Sequence, residues 1–97
     1  MLLCDVALGD MYHLTNAEYM EKAPKGTLST KGLGKYEPNP KNNLQLDDGL
    51  IVPNGKWMDT KRSTGLLYNE FIVYDVNQIK MKYMLKLKFK YNKDYYW

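Results

Sequence analysis

The chain has one cysteine, one histidine and two phenylalanines among 97 residues. Cys4 alone excludes an internal disulfide, which fits a reducing compartment. A nucleophilic role for Cys4 needs a neighbouring base and an electropositive setting, so a small core residue is the preferred reading. There is no apolar run long enough to span a bilayer: the longest opening run, Leu2-Leu3-Cys4-Asp5-Val6-Ala7-Leu8, is too short. It carries neither the basic n-region nor the cleavage site of a signal peptide, and reads as a buried strand whose neighbours lie elsewhere. No internal repeat and no low-complexity tract is visible. Hydrophobic residues at 44% and charged residues at 26% suit a folded domain, and the length allows only one small one.

What is present is mostly strand-like. Thr15-Asn16-Ala17-Glu18 has the pattern of a capping box and predicts one short helix through about Lys22, ahead of Pro24. From Pro24 to Gly65 glycines and prolines recur, predicting loops and short strands, with Leu50-Ile51-Val52 the best strand among them. Gly32-Leu33-Gly34, between Lys31 and Lys35, invites a phosphate-cradle reading. It follows no predicted strand and opens no helix, so a turn is the better reading.

The C-terminal segment has the clearest alternation. Ile79, Met81, Tyr83, Leu85, Leu87, Phe89 and Tyr91 form one apolar face of a predicted long strand, opposite a face rich in lysine. From Lys80 onward six lysines oppose Asp94, a net charge of +5, while residues 1–79 carry eight basic and ten acidic groups, a net of −2. A lysine face can contact nucleic-acid phosphates, but lysines also guard edge strands against association, and the second reading is preferred. Tyr95-Tyr96-Trp97 closes the chain; three aromatics in a row are costly to leave in water, so packing or partner docking is expected there.

The segment Leu66-Leu67-Tyr68-Asn69-Glu70-Phe71-Ile72-Val73-Tyr74-Asp75 sets one carboxylate inside an apolar, aromatic strand. Strand alternation places Tyr68, Glu70, Ile72 and Tyr74 on one face and Asn69 on the other, where a structural role is expected. A carboxylate among those side chains is poorly solvated and becomes a candidate for chemistry. The bland alternative is a strand-end glutamate that points into solvent.

Tyr68-Asn69-Glu70-Phe71-Ile72-Val73-Tyr74 strongly resembles the catalytic-glutamate strand of the poly(ADP-ribose) polymerases, the DNA-damage-responsive members of the ADP-ribosyltransferase family. The resemblance runs in order through residues 2–12, Pro24-Lys25-Gly26, Ser29-Thr30-Lys31-Gly32-Leu33-Gly34-Lys35, Pro38-Asn39-Pro40 and Val52-Pro53. It continues through Gln78, residues 82–89 and Trp97, and so covers essentially the whole chain. The family's catalytic set is a His, a Tyr and a Glu, with the His in a His-Gly-Ser/Thr motif. His13 is followed by Leu14-Thr15 and does not match it.

The resemblance therefore implies that residues 1–97 are the C-terminal half of the transferase domain, with the N-terminal half absent. The implied fold is α+β, β-dominated in this half, with antiparallel and mixed sheets and one short helix. The implied activity is transfer of ADP-ribose from NAD+ to protein acceptors or to a growing ADP-ribose polymer, with nicotinamide released and no metal. By resemblance Glu70 is catalytic, and Tyr68 binds NAD+ or lines the same pocket near the acceptor. Gly32-Leu33-Gly34 falls in a loop, and Trp97 is open to an accessory protein. A nuclear, DNA-repair role is implied, with no membrane and no direct nucleic-acid contact by this segment. A chain with one of three catalytic residues is expected to be inactive alone. The alternative is a non-catalytic β-rich module that contacts nucleic acid or a parent polymerase.

Overall fold

The computed structural model describes residues 1–90. Nine short strands make up its regular structure: β1 (Leu2–Val6), β2 (Met11–Leu14), β3 (Ser29–Gly32), β4 (Tyr36–Pro38), β5 (Leu44–Gln45), β6 (Ile51–Val52), β7 (Trp57–Asp59), β8 (Glu70–Val73) and β9 (Ile79–Met84). They form four small sheets: a three-stranded one in the order β2-β3-β8, and the pairs β1-β9, β4-β7 and β5-β6. β2 runs parallel to β3, and the other pairs of strands within sheets are antiparallel. The fold is thus β-dominated with mixed pairing, as the sequence implies.

Among the described residues helix is confined to two single 3-10 turns, Pro40–Asn42 and Val76–Gln78. The helix expected over Thr15–Lys22 does not form; those residues are irregular. Its would-be cap is committed elsewhere, because the Thr15 carbonyl accepts the Gly65 N–H at 2.9 Å and the Thr64 hydroxyl at 2.9 Å. An N-cap carbonyl must accept the first intrahelical bond, and this one is occupied. A true capping box closes the second 3-10 turn, where Asp75 and Gln78 exchange side-chain bonds to backbone N–H groups.

The C-terminal strand is shorter than its alternation suggests. β9 stops at Met84, which pairs with Leu2, the first residue of its partner β1. Leu85 extends the contact by one reciprocal pair, its N–H donating to the Met1 carbonyl at 2.7 Å and its carbonyl accepting from the Met1 ammonium at 3.0 Å. Tyr91 and Tyr95-Tyr96-Trp97 lie outside the described residues. Of the lysine face, Lys82 sits 3.7 Å from Asp5 on β1.

Among the described residues no hydrophobic side chain is fully buried. The buried positions are Ser29, Thr30, Gly32, Gly34 and Glu37, a spine along β3 and β4. β1, expected to be buried, exposes Leu2, Leu3 and Val6, and β9 exposes Ile79, Met81 and Tyr83. Accessible surface totals 8679 Å² for 11.4 kDa. A folded monomer of that mass exposes about 5,800 Å². The excess, roughly 2,900 Å², is more than a standard two-partner interface buries.

Candidate functional site

β8 occupies an edge of the three-stranded sheet, hydrogen-bonded to β3 in the register Gly32↔Glu70, Lys31↔Phe71, Thr30↔Ile72 and Ser29↔Val73. Alternation along β8 puts Glu70 and Ile72 on one face, and Tyr74 follows on the same side. These three, with Thr30, Gly32, Leu14 and Leu66, form one wall of a shallow hollow of about 130 Å³. Asn16, Ala17, Glu18 and Met20, from the irregular segment after β2, also line it.

Gly32, the register partner of Glu70, makes room for the Leu66 side chain. A Cβ at position 32 would lie 2.6 Å from Leu66 Cδ1 and 3.5 Å from Glu70 Cβ. The glutamate lies beside this buried glycine and is itself exposed. The carboxylate expected to be poorly solvated is in fact exposed, because the hollow is open on that side. Thr30 Oγ1 and the Tyr74 hydroxyl lie 2.7 Å apart and fasten the far end of the same face. Gly32 belongs to strand β3 rather than to the expected loop, and Lys31 places its ammonium 5.5 Å from the centre of the Phe71 ring.

Tyr68 falls elsewhere. β8 begins only at Glu70, and Tyr68 forms an isolated parallel bridge with Tyr36. Its ring is half exposed and lies 5.2 Å from that of Trp57, tilted by 44°. It does not line the hollow that Glu70 lines, since the chain turns out of the ladder two residues before the glutamate. His13, on β2 and paired with Lys31, is not part of the hollow either. Among the described residues no three His, Cys, Asp or Glu side chains gather in a way that could hold a metal ion. No helix among them is long and apolar enough to cross a membrane.

Asn69 proves to be the centre of the polar structure behind the site. Its Oδ1 accepts the Gly34 N–H at 2.8 Å and its Nδ2 donates to Glu37 Oε2 at 3.0 Å. Arg62 Nη1 donates to the same Oε2 at 3.2 Å and to the Gly34 carbonyl at 3.3 Å. The carboxyl of Glu37 is held below the usual carboxylate range, chiefly by the Asn69 hydrogen bond and also by Arg62, against the opposing effect of burial. Sequence reading missed Glu37 and Arg62, which lie 25 residues apart in a loop-rich stretch with no periodicity to flag them.

The family model for the poly(ADP-ribose) polymerase catalytic domain matches residues 1–89. Poly(ADP-ribose) polymerase 2 of Arabidopsis thaliana is 53% identical over 93 residues, which is 94% of this chain and 15% of that protein. Poly(ADP-ribose) polymerase 1 of Gallus gallus is 54% identical over 92 residues, 94% of this chain and 9% of that protein. The corresponding protein of Xenopus laevis is 50% identical over 98 residues, spanning 100% of this chain and 10% of its own length. The chain thus spans between about a tenth and a seventh of the curated relatives it matches.

Proposed function

Because the chain belongs to the poly(ADP-ribose) polymerase catalytic-domain family, we propose that it is the glutamate-bearing C-terminal part of an NAD+-dependent ADP-ribosyltransferase domain. The observation that carries this reading is Glu70 on β8, the register partner of Gly32, lining a hollow together with Ile72 and Tyr74.

In the proposed reaction the bond between the ribose anomeric carbon and the nicotinamide nitrogen breaks, and nicotinamide leaves with the bonding pair. The ribose gains oxocarbenium character, as in glycoside hydrolysis. Glu70 stabilises that charge, accepts a hydrogen bond from a ribose hydroxyl, and takes the proton of the incoming acceptor hydroxyl as general base. Glu70 is exposed and so within reach of a substrate for these roles. Tyr68, with its half-exposed ring beside Trp57, stands on the neighbouring side, where it would contact the acceptor rather than the ribose. Protein side chains and the growing ADP-ribose polymer are the acceptors in this reading, and a nuclear, DNA-damage role accompanies it.

The test is Glu70→Gln in the complete enzyme that carries this segment. The amide keeps the shape and loses the charge, so polymer formation should fall by a factor of about 10²–10³ or more while NAD+ binding stays largely intact. Polymer made at the normal rate by the variant would remove Glu70 from the mechanism. The 97-residue chain alone should release no labelled nicotinamide above a blank.

A further inference from the structure

We propose that the Glu37–Arg62 pair is a positioning device for Glu70, acting through Asn69; the inference rests on the catalytic reading of Glu70 above. Glu37 is the one charged residue buried among the described residues, 8% exposed, and buried charge is costly unless paired and hydrogen-bonded. Here the pairing forms a closed ring. Glu37 Oε2 accepts from Arg62 and from Asn69, Asn69 accepts from the Gly34 N–H, and Arg62 returns to the Gly34 carbonyl.

The four members come from four places in the chain: the β3–β4 connection, β4, the loop after β7, and the residue before β8. Both ends of the Asn69 amide are bound, so neither its side chain nor its backbone can swing freely. The next residue is Glu70. The ring is backed by close contact, since Gly34 approaches the Tyr68–Asn69 backbone so nearly that no side chain fits between them. The Lys35 and Tyr36 N–H groups bind the carbonyls of Leu66 and Leu67 at 2.9 and 3.0 Å and hold the approach to the same point. An ion pair that served the fold alone has no need to end on the residue preceding Glu70.

Charge is essential to this arrangement. Ionised, Glu37 accepts two charge-assisted bonds at one oxygen; protonated, it loses their electrostatic part. The charged groups around it are Arg62 and, farther off, Lys31 on β3. On the paired strand β7 its register partner is Met58, and the adjacent Asp59 is itself 3.8 Å from Lys61. The folded-state carboxyl titrates below its unfolded value, so the ring is fully formed above the ordinary carboxylate range. It is lost as pH falls through the folded value.

The experiment compares Glu37→Gln, Arg62→Lys and Glu70→Gln in the complete enzyme, measuring kcat and KM for NAD+ against pH. Positioning predicts that Glu37→Gln lowers kcat by about tenfold or more with KM changed less than about twofold, because only the reacting geometry is disturbed. Arg62→Lys should retain part of the rate and move its acid limb upward. Unchanged kcat in Glu37→Gln, or an acid limb indifferent to Arg62→Lys, overturns the proposal. Normal activity in Glu70→Gln overturns the catalytic reading instead. If Glu37→Gln fails to fold, the acid limb of Arg62→Lys decides alone.

Discussion

Gly34→Ala isolates the contact that seats Asn69 and Glu70. An alanine Cβ there would lie 2.3 Å from the Tyr68 carbonyl carbon, 2.5 Å from the Asn69 nitrogen and 2.6 Å from Tyr68 Cα. All three obstacles are backbone, and carbon atoms rest about 3.5–4.0 Å apart, so the two segments must separate by about 1 Å. That separation strains the Gly34 bond to Asn69 and the neighbouring Lys35–Leu66 and Tyr36–Leu67 bonds together. Overpacking costs about 1–3 kcal/mol and each of the three loosened hydrogen bonds about 1 kcal/mol, giving an expected loss of about 4–6 kcal/mol. Gly34 is not at positive φ, so the cost is one of space and not of backbone conformation. Gly26→Ala provides the opposite control: its φ is 87° and nothing lies within 4 Å of the added Cβ. That change should cost only about 1–2 kcal/mol, the penalty of the left-handed region. Urea unfolding followed by circular dichroism measures both. Equal losses at 26 and 34, or an unchanged midpoint at 34, would refute the steric reasoning.

With an excess of roughly 2,900 Å² of surface over a compact monomer, the 97-residue chain should self-associate. Sedimentation velocity should show its mean mass rising between about 1 and 100 µM, and a sharp, concentration-independent monomer transition would count against this. Thr30→Val should destabilise by about 1–3 kcal/mol by leaving the Tyr74 hydroxyl, 2.7 Å away, without its partner. Adding Tyr74→Phe should recover much of that loss, and a strictly additive double variant would show that the two hydroxyls do not interact.

The strand that carries Glu70 was legible because Phe71-Ile72-Val73 is β-branched and aromatic, a local property. Where the strand begins was not. Leu66 and Leu67 look like strand, yet their carbonyls bind Lys35 and Tyr36, so the ladder with β3 starts only at Glu70 and leaves Tyr68 on different ground. The capping-box pattern at Thr15–Glu18 misled for a related reason: the donors that take the Thr15 carbonyl, the Gly65 N–H and the Thr64 hydroxyl, lie about 50 residues away in sequence and outbid a nascent helix. Alternation from Ile79 to Tyr91 reported a strand-forming tendency, but strand length was set by how far β1 extends beside it. The Glu37–Arg62–Asn69 ring left no periodic trace, being assembled from one short strand and two loops whose proximity only the tertiary fold supplies. The family resemblance, carried by the Tyr68–Tyr74 string, was far more legible than any of these contacts.

The pairing of β1 with β9 bears on the order in which the molecule assembles. Residues 7–78 intervene between Val6 and its partner Ile79, whereas only residues 46–50 separate β5 from β6. Closing the longer loop costs about 2 kcal/mol more in chain entropy. Among the described residues no buried apolar side chain repays that cost early, so the β5–β6 hairpin should nucleate first and β1–β9 should zip last. The same pair should be the first to open in the native state, a hinged clasp whose amides exchange ahead of those in β3.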